Sequence, residues 1–186
     1  ENLTVRNAGG WGVRAWACPD LRVSVCTVED SGAGGVRVEG EGARVEDCTV
    51  RRIGLQYPSA VGVWIGGARS VAEHNLVTDT TYTAILGGGD DQRIESNRIQ
   101  RAMLVLHDGG GIYAGFNKRM AYRYNYVSDI QDTGGYGASA YYLDELAEDC
   151  VVEGNVAIGV DRPSQNHMAR RNTIRGNLFV TTGKMR

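Results

Sequence analysis

The sequence predicts an all-β fold, a right-handed parallel β-helix: a solenoid of about 22–30 residues per coil. Three observations carry that prediction. Short segments recur at a near-constant period. Glycine is abundant, 26 residues, yet shows no triplet rhythm. Apolar residues alternate over short runs instead of falling at helical spacing.

The period shows first in one column: Cys26, Cys48, Asn75, Asn97, Asn125, Asn155 and Asn177, with successive spacings of 22, 27, 22, 28, 30 and 22 residues. Three residues before it runs an apolar column, Val23, Val45, Ala72, Ile94, Tyr122, Val152 and Ile174. Two residues after it runs another, Val28, Val50, Val77, Ile99, Val127, Ala157 and Phe179. A second register follows later in each coil, a small residue and then an apolar one: Gly12-Val13, Gly35-Val36, Gly62-Val63, Ala84-Ile85, Gly111-Ile112 and Ala140-Tyr141. Each coil therefore holds at least two short strands separated by turns. A leucine-rich repeat has a similar period but needs a leucine consensus that is missing here.

The asparagine column has a structural explanation. Stacked at one turn, each amide can hydrogen-bond to its neighbour one coil away and satisfy turn backbone groups. Cys26 and Cys48 share that column and read as small buried members of the ladder. Cys18 and Cys150 read as buried singletons. No C-x-x-C spacing suggests a zinc or redox site.

A chain of 186 residues fits one domain, 1–186. It begins ENLTVRN in repeat register and stops at NLFVTTGKMR, half a coil, with no polar cap at either end. A solenoid needs caps against edge pairing, so the expectation is a piece of a longer β-helix. The net charge of −2 gives no electrostatic reason for a nucleic-acid partner. No apolar run approaches the ~18 residues of a membrane span.

Where the regularity breaks, a site is expected. Three coils carry insertions, at LQYPSAV (55–61), AMLVLHDGG (102–110) and DIQDTGGYGAS (129–139). All fall between the Asn/Cys column and the later small-apolar pair, hence on one side of the solenoid. Alternation then turns Arg14, Arg37, Trp64, Leu86, Tyr113 and Tyr142 outward over that side. Aromatic rings there suit sugars, whose C–H faces are apolar. Asp108 lies four residues before Ile112, and Asp144 three after Tyr141, with Glu145 beside it. Two carboxylates at a groove are the minimum apparatus for glycoside hydrolysis. An aspartate beside glycine is ordinarily a turn cap, but the aromatics and insertions weaken that explanation. A straight strand would hold the two aspartates apart, so the triple glycine 109–111 must bend Asp108 inward. His107, Lys118 and Arg119 would suit a different chemistry, a lyase that abstracts a proton beside a uronate carboxylate. Asp90 and Asp91 read as a solvated turn that could also hold calcium.

The runs DGGGIYAG, YRYNYVSDI, AYYLDE and VVEGNV resemble right-handed β-helix proteins of the pectate-lyase-like superfamily with a DGG-x-IY-x-G…YNY-x-x-DI…IYLDD…GN pattern. These include glycoside hydrolases of the α-fucosidase/xylanase type. The likeness is specific over about residues 107–160. It implies an acid/base and a nucleophile or base at Asp108 and Asp144. The chain departs from the pattern at Glu145, where the second acidic residue keeps its charge, and at Ser128, where a histidine is common.

The expected protein is an extracellular or periplasmic bacterial glycoside hydrolase, a monomer acting on poly- or oligosaccharide without a cofactor. Asp108 and Asp144 are the catalytic candidates, and His107, Tyr113, Tyr142, Glu145, Trp64 and Lys118 the substrate-binding ones. The alternatives are a polysaccharide lyase and a non-catalytic carbohydrate-binding or surface β-helix.

Overall fold

The computed structural model describes residues 1–132 and 134–181. Thr133 of the third insertion and Thr182 of the last repeat segment lie outside the described residues. The chain winds as a parallel solenoid with three sheets of eight, seven and seven strands, and every strand pair is parallel. Among the described residues there is no helix. Successive coils stack strand on strand, so each sheet runs the length of the molecule.

The sequence columns are the sheet registers. Val28, Val50, Val77, Ile99, Val127, Ala157 and Phe179 pair in order along the eight-stranded sheet. Val36, Val63, Ile85, Ile112 and Tyr141 do so along the sheet of the later register, all with no exposed surface. The third sheet stacks Val23, Val45, Ala72, Ile94, Tyr122 and Val152. These three columns converge on one continuous core. Parallel strands buried on their inner face read as valine- and isoleucine-rich, and these do.

Each coil holds three strands, one more than the minimum that the alternation required. The segment around each Asn/Cys is two strands, Arg22–Ser24 and Thr27–Ser31 in one coil, joined by a sharp corner. A single left-handed residue makes that corner: Val25, Asp47, His74, Ser96 and Tyr124 all have φ between 53° and 56°. The residue after it turns inward and joins the ladder. Asn97 Nδ2 donates to Asn125 Oδ1 at 3.0 Å and to the Ala72 carbonyl at 2.9 Å, and the Asn97 backbone N–H donates to the same Asn125 oxygen. The motif repeats from Asn75 to Asn177. Cys48 takes the same place with sulfur, its Sγ accepting from Cys26 N–H at 3.5 Å. All four cysteines are free thiols. Cys26, Cys48 and Cys150 are buried, whereas Cys18 is partly exposed, which corrects the expectation of a buried singleton there.

Outside, the other corners carry ion-pair ladders. Left-handed positions in neighbouring coils hold opposite charges, and Arg52 clamps Asp30 with two hydrogen bonds of 2.7 and 2.9 Å. Arg101 grips Asp79 likewise. The Asp90–Asp91 turn belongs to this scheme. Arg119 holds Asp91 through two hydrogen bonds, and the Lys118 backbone N–H donates to Asp90 Oδ1.

Candidate active site

The site is built on the later-register sheet, where strands Gly109–Ala114, Ala138–Leu143 and Ser164–Asn166 lie side by side. Asp144 is the first residue beyond the middle strand, and its side chain is only 13% exposed. Both its oxygens are engaged from the flanking coils. The Tyr113 hydroxyl donates to Oδ2 at 2.6 Å, and His167 Nδ1 lies 2.9 Å from Oδ1. A carboxylate only accepts, so that imidazole nitrogen carries the proton. Burial by itself would push the Asp144 carboxyl up. Donors from Tyr113, His167, the Glu145 backbone and Tyr142 outweigh it and hold Asp144 below the usual carboxylate range. Tyr113 moves the other way, its hydroxyl pushed up by burial and by the Asp144 charge.

Asp108 reaches the site from the neighbouring coil by way of the three glycines. Its backbone is left-handed, φ 60°, and is held from both sides. The Tyr82 hydroxyl donates to its carbonyl at 2.7 Å, and its own N–H donates to the Gly137 carbonyl at 2.7 Å. A straight strand rising ~3.3 Å per residue would leave the levels of Asp108 and Asp144 roughly 20 Å apart. The two strands keep one register offset throughout, yet both aspartates come within electrostatic range of Tyr82 and Tyr142. Pairing of Gly109 with Ala138 and Gly110 with Ser139 lapses at Gly111 and resumes at Ile112 with Tyr141. A Cβ on Gly110 would stand 2.8 Å from the Ser139 carbonyl, and one on Gly111 2.9 Å from that of Ala140. Only glycine fits so close to the next coil.

Both aspartates line one open groove of about 670 Å³, with Tyr136, Tyr142, Glu145 and His167 also in its walls. Burial raises the Tyr82 and Tyr142 hydroxyls, and the charges of both aspartates add to the shift. Glu145 owes its place to a local irregularity. The coil before it takes three residues from Gly115, opposite Asp144, to Lys118, and its own coil takes four from Asp144 to Glu148. The coil after takes three again, His167 to Arg170. The extra residue lies in the turn that follows the strand Ala138–Leu143, and Glu145 is part of that turn.

The sequence matches a family model described as "Right handed beta helix region" over residues 11–179. The chain belongs to the right-handed beta helix family. No curated protein matches this β-helix chain. Among solved structures it is similar to a chain named "Glycoside hydrolase", with a TM-score of 0.76 and 16% identity. The match covers 91% of the β-helix chain and 34% of the other, so the β-helix spans about a third of that protein.

The remaining candidates are spread along the β-helix. Tyr142 is in the groove wall and almost fully covered, 2% exposed. Trp64 shares its outward register three coils away, through Leu86 and Tyr113. The Trp64 ring face is taken by the Arg37 guanidinium, 3.8 Å from its centroid, a cation–π stack. His107 is exposed and packs its ring on Gly135, behind the loop that forms the groove wall. Lys118 lies round the corner, where its ammonium sits 3.6 Å from Glu148. Five groove residues were not singled out by the sequence reading: Gly135, Tyr136, Gln165, Asn166 and His167. His167 was within reach, because counting one coil on from Asp144 in the small-apolar register lands on it. That register fades there, with Ser164 filling the inward place of Tyr141. Among the described residues, no group of three or more His, Cys, Asp or Glu side chains is placed to hold a metal ion.

Proposed function

We propose that this β-helix is the catalytic part of a glycoside hydrolase acting on poly- or oligosaccharide, with Asp144 and Asp108 as its carboxylate pair. One observation carries the reading: Asp144 is held ionised between Tyr113 and His167, in a groove that also takes in Asp108. Glycoside hydrolysis needs two carboxyl groups in opposite protonation states. The ionised Asp144 attacks the anomeric carbon or takes the proton of an attacking water. Asp108 is the carboxyl that this scheme assigns to the departing glycosidic oxygen. Tyr136, 74% exposed in the groove wall, offers an apolar face for a sugar ring. The name of the similar solved structure, a glycoside hydrolase, agrees with this chemistry.

A lyase is less well supported. It needs cations to stabilise an enolate-like charge, and the groove walls carry no lysine or arginine among the described residues. Digestion of a glycan library, with wild type beside Asp144→Asn and Asp108→Asn, tests the proposal. The expected result is saturated reducing ends from wild type and a loss of roughly 10²–10⁴-fold in each variant. Ultraviolet-absorbing unsaturated products would point to the lyase. Glycan binding without turnover in all three proteins would point to a binding module.

A further inference from the structure

Next to the groove, the corner after the candidate strands changes character. Earlier coils turn it with Ala17, Gly40, Gly67 and Gly89, small residues suited to a left-handed or crowded backbone. The three coils that carry the candidate site turn it with Phe116, Leu146 and Met168, at φ 61°, 59° and 47°. A bulky side chain in that region is disfavoured by about 1–2 kcal/mol per residue. These side chains gain no burial in return, being 70%, 58% and 70% exposed.

Leu146 and Met168 directly follow Glu145 and His167 of the groove, so the ridge forms its rim. On the far side is a depression of about 230 Å³ lined by Phe116, Lys118, Leu146, Glu148 and Arg170. Its charges are unevenly matched. Lys118, Arg170 and Arg171 all share the Glu148 carboxylate, which is itself 7% exposed, and among the described residues only Arg171 has a further ion-pair partner, Asp149. Among the described residues, three cations thus share these two carboxylates, and each of the three side chains is more than half exposed.

We infer that the Phe116–Leu146–Met168 ridge and the Lys118/Arg170 depression form an accessory subsite for an acidic sugar of the substrate. This rests on the carbohydrate reading of the groove. A sugar ring lays its C–H face on the apolar ridge, and an anionic substituent meets Lys118 and Arg170. A carboxylate and a sulfate ester share that chemistry. The inference also gives Lys118 a role outside the groove.

The test is a titration of methyl-labelled Asp144→Asn protein, followed by the Leu and Met methyl shifts. The probes are an oligogalacturonate and a sulfated galacto-oligosaccharide, each beside its carboxyl-reduced or desulfated twin. The expected result is movement of the Leu146 and Met168 signals with at least one anionic probe, at least fivefold tighter than with its neutral twin. Which probe acts separates carboxylate from sulfate. Phe116→Gly and Arg170→Ala should each abolish that preference, and Phe116→Gly should raise the thermal midpoint by relieving the left-handed strain. No shift with either anionic probe, equal response to the neutral twins, or a preference that survives both substitutions would overturn the inference. So would concentration-dependent dimerisation lost in Phe116→Gly, which would make a second copy the occupant. Binding here requires no turnover, so a hydrolase without these shifts loses only the subsite. A chain that shows the shifts but cleaves nothing loses only the hydrolase reading.

Discussion

The Tyr113 hydroxyl stands 2.6 Å from Asp144 Oδ2, reaching it from the neighbouring coil. The solenoid makes this contact possible, since Tyr113 and Tyr142 are register partners and Asp144 lies two residues past Tyr142. Two ordinary residues thereby act on one another through coil stacking, although 31 positions separate them in the chain.

Removing that hydroxyl should therefore show in a pH profile. Tyr113 is among the donors that hold the Asp144 carboxyl low, so Tyr113→Phe lets it rise. A base with a depressed pKa stays ionised as pH falls, until pH passes through that low value. In Tyr113→Phe the acidic limb of kcat/KM should begin at higher pH, with a loss of about tenfold at neutral pH for one hydrogen bond to a charged group. An unmoved acidic limb would mean that Asp144 is not the group titrating there.

The glycine run 109–111 makes a separate prediction. Gly110→Ala pushes a methyl to within 2.8 Å of the Ser139 carbonyl, and two coils must shift to accept it. Overpacking of this kind costs about 1–3 kcal/mol, and here it would also move Asp108 relative to Asp144. Denaturant unfolding should show that loss together with a fall in activity. Gly9→Ala, where the added methyl meets nothing within 4 Å, is the control and should change neither.

The sequence made the repeat legible because a solenoid reuses one environment per coil, so each inward position becomes a column of like residues. The site was legible only where it touched those columns: Tyr113 and Tyr142 as outward neighbours of Ile112 and Tyr141, the aspartates as departures. The third strand of each coil was hidden because its corner depends on one left-handed residue of no fixed type, valine at 25, aspartate at 47, histidine at 74. Lys118 falls outside the groove for a related reason. Beyond Ala114 the chain leaves the strand, and alternation no longer says where a side chain points. Register in the next coil, not distance along the chain, brings His167 to Asp144.

The asparagine ladder should be the stiffest part of that repeat. Asn125 is buried, donates to the Ile94 carbonyl and to Asn155 Oδ1, and accepts from Asn97 on its own oxygen. Asn125→Ala leaves several of these groups unpaired at a cost of about 1–3 kcal/mol apiece before relaxation, so a large fall in thermal midpoint is expected. Asn125→Cys should fall less, because Cys48 already accepts a ladder N–H through sulfur in the same column. Equal losses in the two variants would show that the thiol cannot stand in for the amide.

Acid should loosen the corners before it loosens the core. Arg51 holds the Glu29 carboxyl low, and Arg52, Arg101, Arg119 and Arg175 do the same for Asp30, Asp79, Asp91 and Glu153. Each depressed carboxylate contributes stability that is fully present above its unfolded pKa, about 3.9 for Asp and 4.3 for Glu. That contribution is lost as pH falls through the lower folded value. The thermal midpoint followed by circular dichroism should therefore hold from pH 7 to about 5 and decline below about 4. Because these pairs, the covered Glu29 apart, face solvent, salt screens them, and high salt should flatten the decline. A midpoint already falling between pH 7 and 5 would assign the acid sensitivity to some group other than the corner ladders.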